Sequence, residues 1–148
     1  MVDGEAAKKE EGNSMILCSV MPMADLVADA PIRRTIRDEL TKPGSDFNKA
    51  IDTKTDGHIA VVFHDDQVVG WARTERWQSY DTLEAFVRPE RRLQGIAVLG
   101  AAGLYSGVLH ENGGTVAVFH PHMLLVARRA GFWPVLFERD GAGGWRLA

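Results

Sequence analysis

The sequence predicts an α/β (α+β) fold, with a mixed β-sheet that carries helices on both faces. Two features carry this prediction: short runs of β-branched and aromatic residues recur along the chain, and apolar segments of helical length separate several of them. The predicted order of elements is β-α-α-β-β-β-α-β-α-β-β. A length of 148 residues favours one domain. We place it at 14–148, after a charged, Gly/Ala-rich stretch at 1–13 that we interpret as a disordered tail or a cloning remnant.

The first part of the chain predicts an edge strand followed by two short helices. Residues 15–20, MILCSV, form a short apolar run typical of a strand. Apolar residues recur at roughly helical spacing over 22–41, and Pro31 divides that segment into two helices.

The middle of the chain predicts a hairpin, a further strand and a helix. The runs at 58–64 and 68–74 are rich in β-branched and aromatic residues, and a short polar turn joins them. The run at 80–87 is the next strand and is ended by Pro89. An apolar segment after it, extending to about Leu109, is predicted to be a helix.

The last part of the chain predicts a strand, a helix and a terminal hairpin. Residues 115–119, TVAVF, are the strand, and Pro121 suits the first turn of the helix that follows. Gly131 is expected to end that helix in a left-handed conformation. The runs at 134–139 and 145–148, separated by DGAGG, form the hairpin.

Composition and charge narrow the functional classes. A net charge of −3 gives no general attraction to nucleic acid or to anionic membranes, and no apolar run approaches the ~20 residues that span a bilayer. The single cysteine excludes an internal disulfide, and the five histidines show no zinc-ligand spacing, so we expect no bound metal. These features favour a cytoplasmic protein without nucleic-acid or membrane partners.

The segment RRLQGIAVLGAAGL, residues 91–104, predicts a loop that binds a diphosphate. The predicted helix lacks a Ser, Thr or Asp cap, so its first backbone N–H groups need another partner. An anion can satisfy several of them, and the helix dipole favours negative charge there. Gly95 and Ala97 leave room for a phosphate, and three arginines add positive charge: Arg88, Arg91 and Arg92. The alternative is a plain strand-to-helix connection with solvated arginines.

The later glycines of this segment, Gly100, Gly103 and Gly107, have a different explanation. Each costs up to ~1 kcal/mol of helix propensity relative to alanine, so we interpret them as positions where the helix packs closely on the sheet. A dinucleotide-binding fold is disfavoured, because no G-x-G-x-x-G follows the first strand.

Two stretches resemble the GCN5-related N-acetyltransferase family. Residues 87–97, VRPERRLQGIA, match its signature of Gln or Arg, two residues, Gly, one residue, then Gly or Ala, preceded by a strand that ends V-x-P. Residues 127–132, ARRAGF, are similar to the family's aliphatic helix that closes with Gly-Phe. The order of elements also matches, from about Met15 to the C-terminus.

The resemblance implies a mostly antiparallel sheet of six to seven strands, flanked by helices and splayed between the fourth and fifth strands. It implies acetyl-CoA as co-substrate, with its pyrophosphate on the backbone amides of residues 92–97. The pantetheine arm would pair like an extra strand with Phe86 and Val87, where the fourth and fifth strands splay apart, and the Val87 amide would polarise the thioester carbonyl. The cofactor-binding residues predicted in this way are Phe86, Val87, Arg91, Arg92, Leu93, Gln94, Gly95, Ile96 and Ala97.

Glu84 and His120 are the candidate catalytic residues. Glu84 lies three residues before Val87, where partial burial would raise its pKa toward a value suited to a general base. It could instead bind the substrate amine or point to solvent. His120 ends the fifth strand and could contact the cofactor or relay a proton, but a structural histidine is an equal alternative.

One position departs from the family pattern. A tyrosine usually lies four residues before the glycine of Gly-Phe and protonates the departing thiolate, but this chain has Ala127 there. Another group or water would supply the proton, or catalysis would be slow, or the domain would bind acyl-CoA without catalysing transfer.

Three tryptophans and the cysteine complete the candidates. Trp71, Trp77 and Trp133 could line an acceptor pocket, although core and rim packing is the favoured interpretation. Cys18 lies in an apolar run, which is typical of a small buried side chain rather than a nucleophile.

The sequence therefore predicts an acetyl-CoA-dependent N-acetyltransferase that acts on a primary amine by direct attack. The alternative is a catalytically weak acyl-CoA-binding module that acts through a protein partner. A nucleotide-binding regulator is disfavoured by the absence of a Walker lysine. The sequence carries no pattern that identifies the acceptor, which could be a small molecule, a peptide or a protein. A homodimer is left open.

Overall fold

The computed structural model describes residues 15–27, 56–92, 94–109 and 114–148, which form a mixed α+β structure with mostly antiparallel strand pairs. The strands are β1 (Ile16–Pro22), β2 (His58–His64), β3 (Gln67–Thr74), β4 (Arg76–Trp77), β5 (Tyr80–Thr82), β6 (Glu84–Val87), β7 (Thr115–Val118), β8 (Trp133–Arg139) and β9 (Trp145–Leu147). The helices are α1 (Met23–Val27), α2 (Ile96–Leu104) and α3 (Pro121–Ala130). A 3-10 turn at Pro89–Arg91 precedes α2, and a π-helical turn at Tyr105–Leu109 continues it.

The strands are divided between two sheets. β1, β2, β3 and β6 form an antiparallel sheet in that order, and β4, β5, β7, β8 and β9 form the second. In the second sheet β7 runs parallel to both β5 and β8. The sequence predicted one sheet and a continuous strand at 80–87. The difference arises at Leu83, because Tyr80–Thr82 pairs with β7 whereas Glu84–Val87 pairs with β3.

The β2–β3 hairpin forms where the sequence predicted it. Asp65 and Asp66 make the turn with φ angles of +48° and +74°, a left-handed conformation that aspartate tolerates better than most residues. β1 then pairs with β2 over its full length, from Ile16 opposite His64 to Pro22 opposite His58.

Helix α2 packs closely on the first sheet through its glycines, as the sequence predicted. A Cβ atom at Gly100 would lie 3.2 Å from the Ala72 Cβ, and one at Gly103 would lie 2.8 Å from the Cys18 Sγ. Any larger side chain would push the helix away from the sheet. The main core lies here, where α2, α3 and β7 bury residues that include Leu104.

The opposite face of the first sheet carries a second buried cluster. It contains Met21, Ile59, Val61, Val68 and Trp71, together with Met23 of α1. Helix α2 therefore packs on one face of the sheet, and Met23 of α1 packs on the other.

Helix α3 begins and ends as predicted. Pro121 occupies its first turn, and Gly131 follows its last residue with a φ of +108°. Gly131 can adopt this left-handed angle because it has no Cβ.

Some predictions concern residues outside the described ranges. These are the tail at 1–13, Leu93, and the part of the predicted helix pair beyond Val27. In the described part of the chain, α2 is nine residues and α3 ten, and no helix has the length and apolar character needed to cross a membrane.

Candidate functional site

The β6 strand has one edge on β3 and presents polar backbone groups at the other. The Arg88 amide donates to the Val69 carbonyl of β3 at 3.0 Å, so the groups of Val87, one residue earlier, face the opposite way. The Leu83 amide donates to the Ala117 carbonyl of β7 at 3.0 Å. Alternation therefore directs the N–H groups of Ala85 and Val87 toward the β7 side. The backbone groups of Phe86 face β3, so the predicted pairing of Phe86 with the pantetheine arm is wrong. Within the described residues, all recorded pairings of β6 are with β3.

The first turn of α2 lies beside this strand and begins at a glycine. Gly95 has a φ of +76°, and no side chain caps the helix. Among the described residues other than its chain neighbours, no atom lies within 4 Å of a Cβ atom placed at Gly95, which leaves space beside this glycine. The first N–H groups of a helix have no intrahelical acceptor, so this start can receive an anion.

Gly70 of β3 explains why the helix start lies so close to β6. A Cβ atom at Gly70 would lie 2.8 Å from the Ile96 Cγ2 and 2.8 Å from the Phe86 carbonyl oxygen. Glycine allows the buried Ile96 side chain to pack directly onto the sheet at the β3–β6 boundary. Ala97, the next residue, is half-buried.

Two arginines are anchored to the backbone near the end of β6. Arg88 Nε donates to the Val68 carbonyl at 2.7 Å, and Arg92 Nε donates to the Val87 carbonyl at 3.0 Å. The Arg92 guanidinium also lies 5.7 Å from the centroid of the Phe86 ring. A guanidinium has five N–H donors, so Arg92 retains donors for an anion beyond its bond to Val87.

Arg91 is held by side chains. Its Nε donates to Gln94 Oε1 at 3.1 Å, and its Nη2 lies 2.6 Å from His64 Nδ1. Gln94 itself is exposed. The sequence-predicted cofactor residues other than Leu93 thus lie together at one end of β6 and at the start of α2.

Glu84 lies at the other end of β6 and faces a buried arginine. Arg73, 1% exposed, forms an ion pair with Glu75 at 3.0 Å, and its Nε lies 4.0 Å from Glu84 Oε1. The sequence argument expected partial burial of Glu84. Its side chain is instead 55% exposed, so the expected partial burial is wrong.

A cleft of about 250 Å³ opens beside Glu84. Its described lining residues are Glu75, Trp77, Thr82, Leu83, Glu84, Phe119 and Trp145. Val118, the last residue of β7, packs into the core with α3, so Phe119, the next residue, is directed to the opposite side. The cleft therefore lies on the face of the sheets that α2 and α3 do not cover.

Aromatic rings support one another around this cleft. The Trp77 ring makes edge contacts with Phe119 and Phe137, each at 5.0 Å between centroids. Phe119 also lies 4.8 Å from Trp145, and Tyr80 lies 5.3 Å from Phe137. These contacts fix the walls before any ligand binds.

His120 and Ala127 are placed in structural positions. His120 is the N-cap of α3, and its Nδ1 accepts a hydrogen bond from the His122 amide at 3.1 Å. This bond fixes the imidazole as a helix cap and leaves Nε2 for another contact. Ala127 is fully buried in the main core, where its methyl group offers no proton donor.

The remaining sequence candidates have different environments. Trp71 is 5% exposed and stacks on Phe86 in the second cluster, and Trp133 is 74% exposed, so of the three tryptophans only Trp77 lines the cleft. Cys18 is half-buried against α2, and burial raises the pKa of its thiol. It is therefore a packing residue.

Sequence reasoning missed five of the described lining residues, Glu75, Thr82, Leu83, Phe119 and Trp145, and it also missed Arg73, which forms an ion pair with Glu75. The lone charge of Arg73 in the apolar run VVGWART was the available signal, because a charge in a central strand needs a partner. Trp145 lies in the short terminal strand, and its position beside Phe119 depends on tertiary pairing.

Within the described residues, no group of three or more His, Cys, Asp and Glu side chains is placed to hold a metal ion. Comparison of the chain with protein-family models, with curated proteins and with solved structures gives no match. The assignment of function therefore depends on the geometry of β6, α2 and the cleft.

Proposed function

We propose that the protein is an acetyl-CoA-dependent N-acetyltransferase that acts on a primary amine. The observation that carries the proposal is the outward-facing backbone edge of β6, which ends next to the uncapped first turn of α2. An extended ligand with amide groups at one end and a diphosphate at the other matches both features. Coenzyme A has this form.

The donor would lie along β6 with its diphosphate at the start of α2. The pantetheine arm would run along the outward edge of β6 toward the start of α2, as an added strand runs along a sheet edge, and the Val87 N–H would be kept for the thioester. The diphosphate would accept from the amides following Gly95, where the helix dipole also favours negative charge. Arg91 and Arg92 would add charge-assisted hydrogen bonds.

Acetyl transfer then requires attack by the amine, stabilisation of the developing negative charge and removal of a proton from the amine. The amine nitrogen attacks the thioester carbonyl carbon, and the carbon–sulfur bond breaks. The Val87 N–H donates to the carbonyl oxygen as negative charge develops on it. Glu84 accepts a proton from the amine and so provides the neutral nucleophile. Its Cα is three residues, about 10 Å along the strand, from that of Val87.

The leaving thiolate does not need a dedicated acid in this scheme. A free thiol has a pKa of about 8.5, so the sulfur can depart as a thiolate and take its proton from solvent. The buried methyl group of Ala127 also favours a second function, acyl-CoA binding without rapid turnover. The two functions differ in acetylated product and not in coenzyme A affinity.

The first experiment measures stabilisation by coenzyme A in thermal unfolding. At about 100 times Kd, binding adds ~2.7 kcal/mol, which raises Tm by roughly 5–10 °C for a chain of this size. Gly95→Asp should abolish that rise, because it places a carboxylate where the diphosphate binds. Aspartate tolerates positive φ, and the space at Gly95 is open, so the variant should fold.

Two variants serve as controls. Gly95→Asn adds the same bulk without charge and should retain part of the rise. Gly141→Asp makes the same change at a φ of +84° with nothing within 4 Å, in the β8–β9 turn, and should respond to coenzyme A as the unmodified protein does. An unchanged rise in Gly95→Asp would contradict the loop assignment. Release of free thiol from acetyl-CoA with a panel of amines separates the transferase from the binding module.

A further inference from the structure

We infer that His64 is a positioning residue for the donor site, which is the outward edge of β6 together with the start of α2. As a neutral imidazole, His64 holds the Arg91 guanidinium in the segment before α2, so that Arg91 is ordered before a diphosphate arrives. The inference rests on the proposed binding of coenzyme A for the identity of the anion. The placement of Arg91 follows from contacts within the protein.

His64 lies on the face of β2 that α2 covers. Side chains alternate between the two faces of a strand, so Ala60, Val62 and His64 share one face. A Cβ atom at Gly103 would lie 3.9 Å from the Ala60 Cβ. A Cβ atom at Gly100, nearer the start of the helix, would lie 3.5 Å from the Val62 Cγ2. The next side chain on this face, His64, therefore reaches the segment that precedes the helix.

The imidazole of His64 connects the β2–β3 turn to that segment. Its Nδ1 lies 2.6 Å from Arg91 Nη2. A guanidinium is always protonated and has no acceptor, so Arg91 donates and Nδ1 accepts. A protonated ring would turn an N–H group and a second positive charge toward the guanidinium. The ring is therefore neutral, with its proton on Nε2.

Asp65 favours the same form of the ring. Its Oδ2 lies 3.5 Å from His64 Nε2, so the N–H dipole faces a carboxylate. Two hydrogen bonds to the start of β1 hold Asp65 in place: its amide donates to the Met15 carbonyl at 3.0 Å, and its Oδ1 accepts from the Met15 amide at 2.9 Å. The orientation of the imidazole is thus set by the end of the β1–β2 pair.

The guanidinium of Arg91 is held at a second point. Its Nε donates to Gln94 Oε1 at 3.1 Å. Gln94 directly precedes Gly95, the N-cap of α2, so Arg91 is tied to the residue next to the helix start. A guanidinium has five N–H donors, and those not used in the bonds to His64 and Gln94 are left for an anion.

Ordering of Arg91 in advance should strengthen binding of the diphosphate. Immobilising one flexible side chain on binding weakens affinity by about 2- to 12-fold, and a side chain that is already held avoids most of this loss. The contact with Gln94 orders Arg91 less than the contact with His64 does. Gln94 is exposed and has a flexible side chain, whereas the side chain of His64 is only 26% exposed and is attached to a paired strand.

The test is calorimetric titration of the full chain with coenzyme A at mildly alkaline pH, where free imidazole is neutral. His64→Leu removes the acceptor and should weaken binding by about 2- to 12-fold. His64→Asn should retain the affinity to within about twofold, because the asparagine oxygen is attached where Nδ1 is and also accepts a hydrogen bond. His58→Leu makes the leucine change at the first residue of β2, away from the donor site, and should leave the affinity unchanged.

Two results of this titration would overturn the inference. One is equal affinity in His64→Leu and the unmodified chain, because the contact would then contribute nothing to binding. The other is an equal loss in the leucine and asparagine variants, because the hydrogen-bond acceptor would then not be the cause.

A double variant tests whether His64 acts through Arg91. Arg91→Gln removes the guanidinium and should weaken binding of coenzyme A. In that background His64→Leu should cause no further loss, because there is no guanidinium left to position. Losses that add in the double variant, or an unchanged affinity in Arg91→Gln, would contradict the inference.

Nuclear magnetic resonance tests the contact without any ligand. The imidazole nitrogen signals of His64 should show a proton on Nε2 and none on Nδ1. The Arg91 Nε–H group should be rigid in the unmodified chain and in His58→Leu, and more mobile in His64→Leu. A proton on Nδ1, or the same Arg91 mobility in both leucine variants, would refute the contact.

The spectra and the titration separate this inference from the proposed function. If the spectra show the contact, but coenzyme A neither binds nor stabilises the protein, the transferase proposal fails and the positioning of Arg91 by His64 stands. If coenzyme A binds equally to His64→Leu and to the unmodified chain, the proposed donor site stands and the inference is overturned.

Discussion

Gly103 is expected to be the position in α2 that is most sensitive to an added methyl group. A Cβ atom there would lie 2.8 Å from Cys18 Sγ and 3.3 Å from Val20 Cγ2, both on β1. Overpacking a core contact of this kind typically costs 1–3 kcal/mol, and the gain in helix propensity returns up to ~1 kcal/mol. We therefore expect Gly103→Ala to lower the free energy of unfolding by about 1 kcal/mol, and by at most ~2 kcal/mol.

Gly107→Ala is the matched control. Its Cβ atom would lie 3.6 Å from the nearest atom, Val20 Cγ1, which is an ordinary van der Waals contact. This variant should gain up to ~1 kcal/mol from propensity alone. Urea unfolding followed by tryptophan fluorescence measures both changes as shifts in the midpoint at constant m value.

A double variant tests the cause. Cys18→Ala removes the atom closest to the new methyl group, so Gly103→Ala should cost less in that background than in the unmodified chain. If Gly103→Ala were as stable as Gly107→Ala, close packing of α2 on β1 would not be the reason for glycine at this position.

Two further predictions concern carboxylates. Glu84→Gln should reduce the rate of acetyl transfer more at low pH than at high pH, because the amine loses its proton without help as the pH rises; a uniform loss would indicate that Glu84 only binds the amine. Asp140 accepts hydrogen bonds from the Ala142 amide at 2.8 Å and the Gly144 amide at 3.0 Å, which lower its pKa. Its stabilising effect is thus present above the unfolded pKa, about 3.9, and is lost as the pH falls through the folded value. Asp140→Ala should lower Tm at pH 7, and the difference from the unmodified protein should close in acid; a difference independent of pH would exclude the carboxylate as the cause.

The fold was predictable where local signals and burial agree. The β2–β3 hairpin has two β-branched arms around a turn of aspartates, and α3 lies between Pro121 and Gly131, so propensity alone sets their boundaries. The division at Leu83 was not predictable in this way. Both halves of the run at 80–87 have strand character, and only the choice of partner strand separates them.

The candidate site was predictable in part for the same reason. The loop at 91–97 carries its own signal, since an uncapped helix start preceded by arginines and glycine indicates an anion. The cleft has no local sequence signal of this kind, because Glu75, Phe119 and Trp145 come from three separate parts of the chain. Periodicity reports which face a side chain occupies and not which distant side chain it meets.

The outward edge of β6 also bears on self-association. An unprotected strand edge is a template for pairing with another chain, and natural proteins shorten such edges to limit aggregation. Here the edge is only four residues, Glu84–Val87, and it continues directly from β5, which is already paired with β7. As far as the described ranges show, a strand from a second molecule would gain few hydrogen bonds at this edge before it met that paired segment, so the short length of β6 limits the risk of forming fibres.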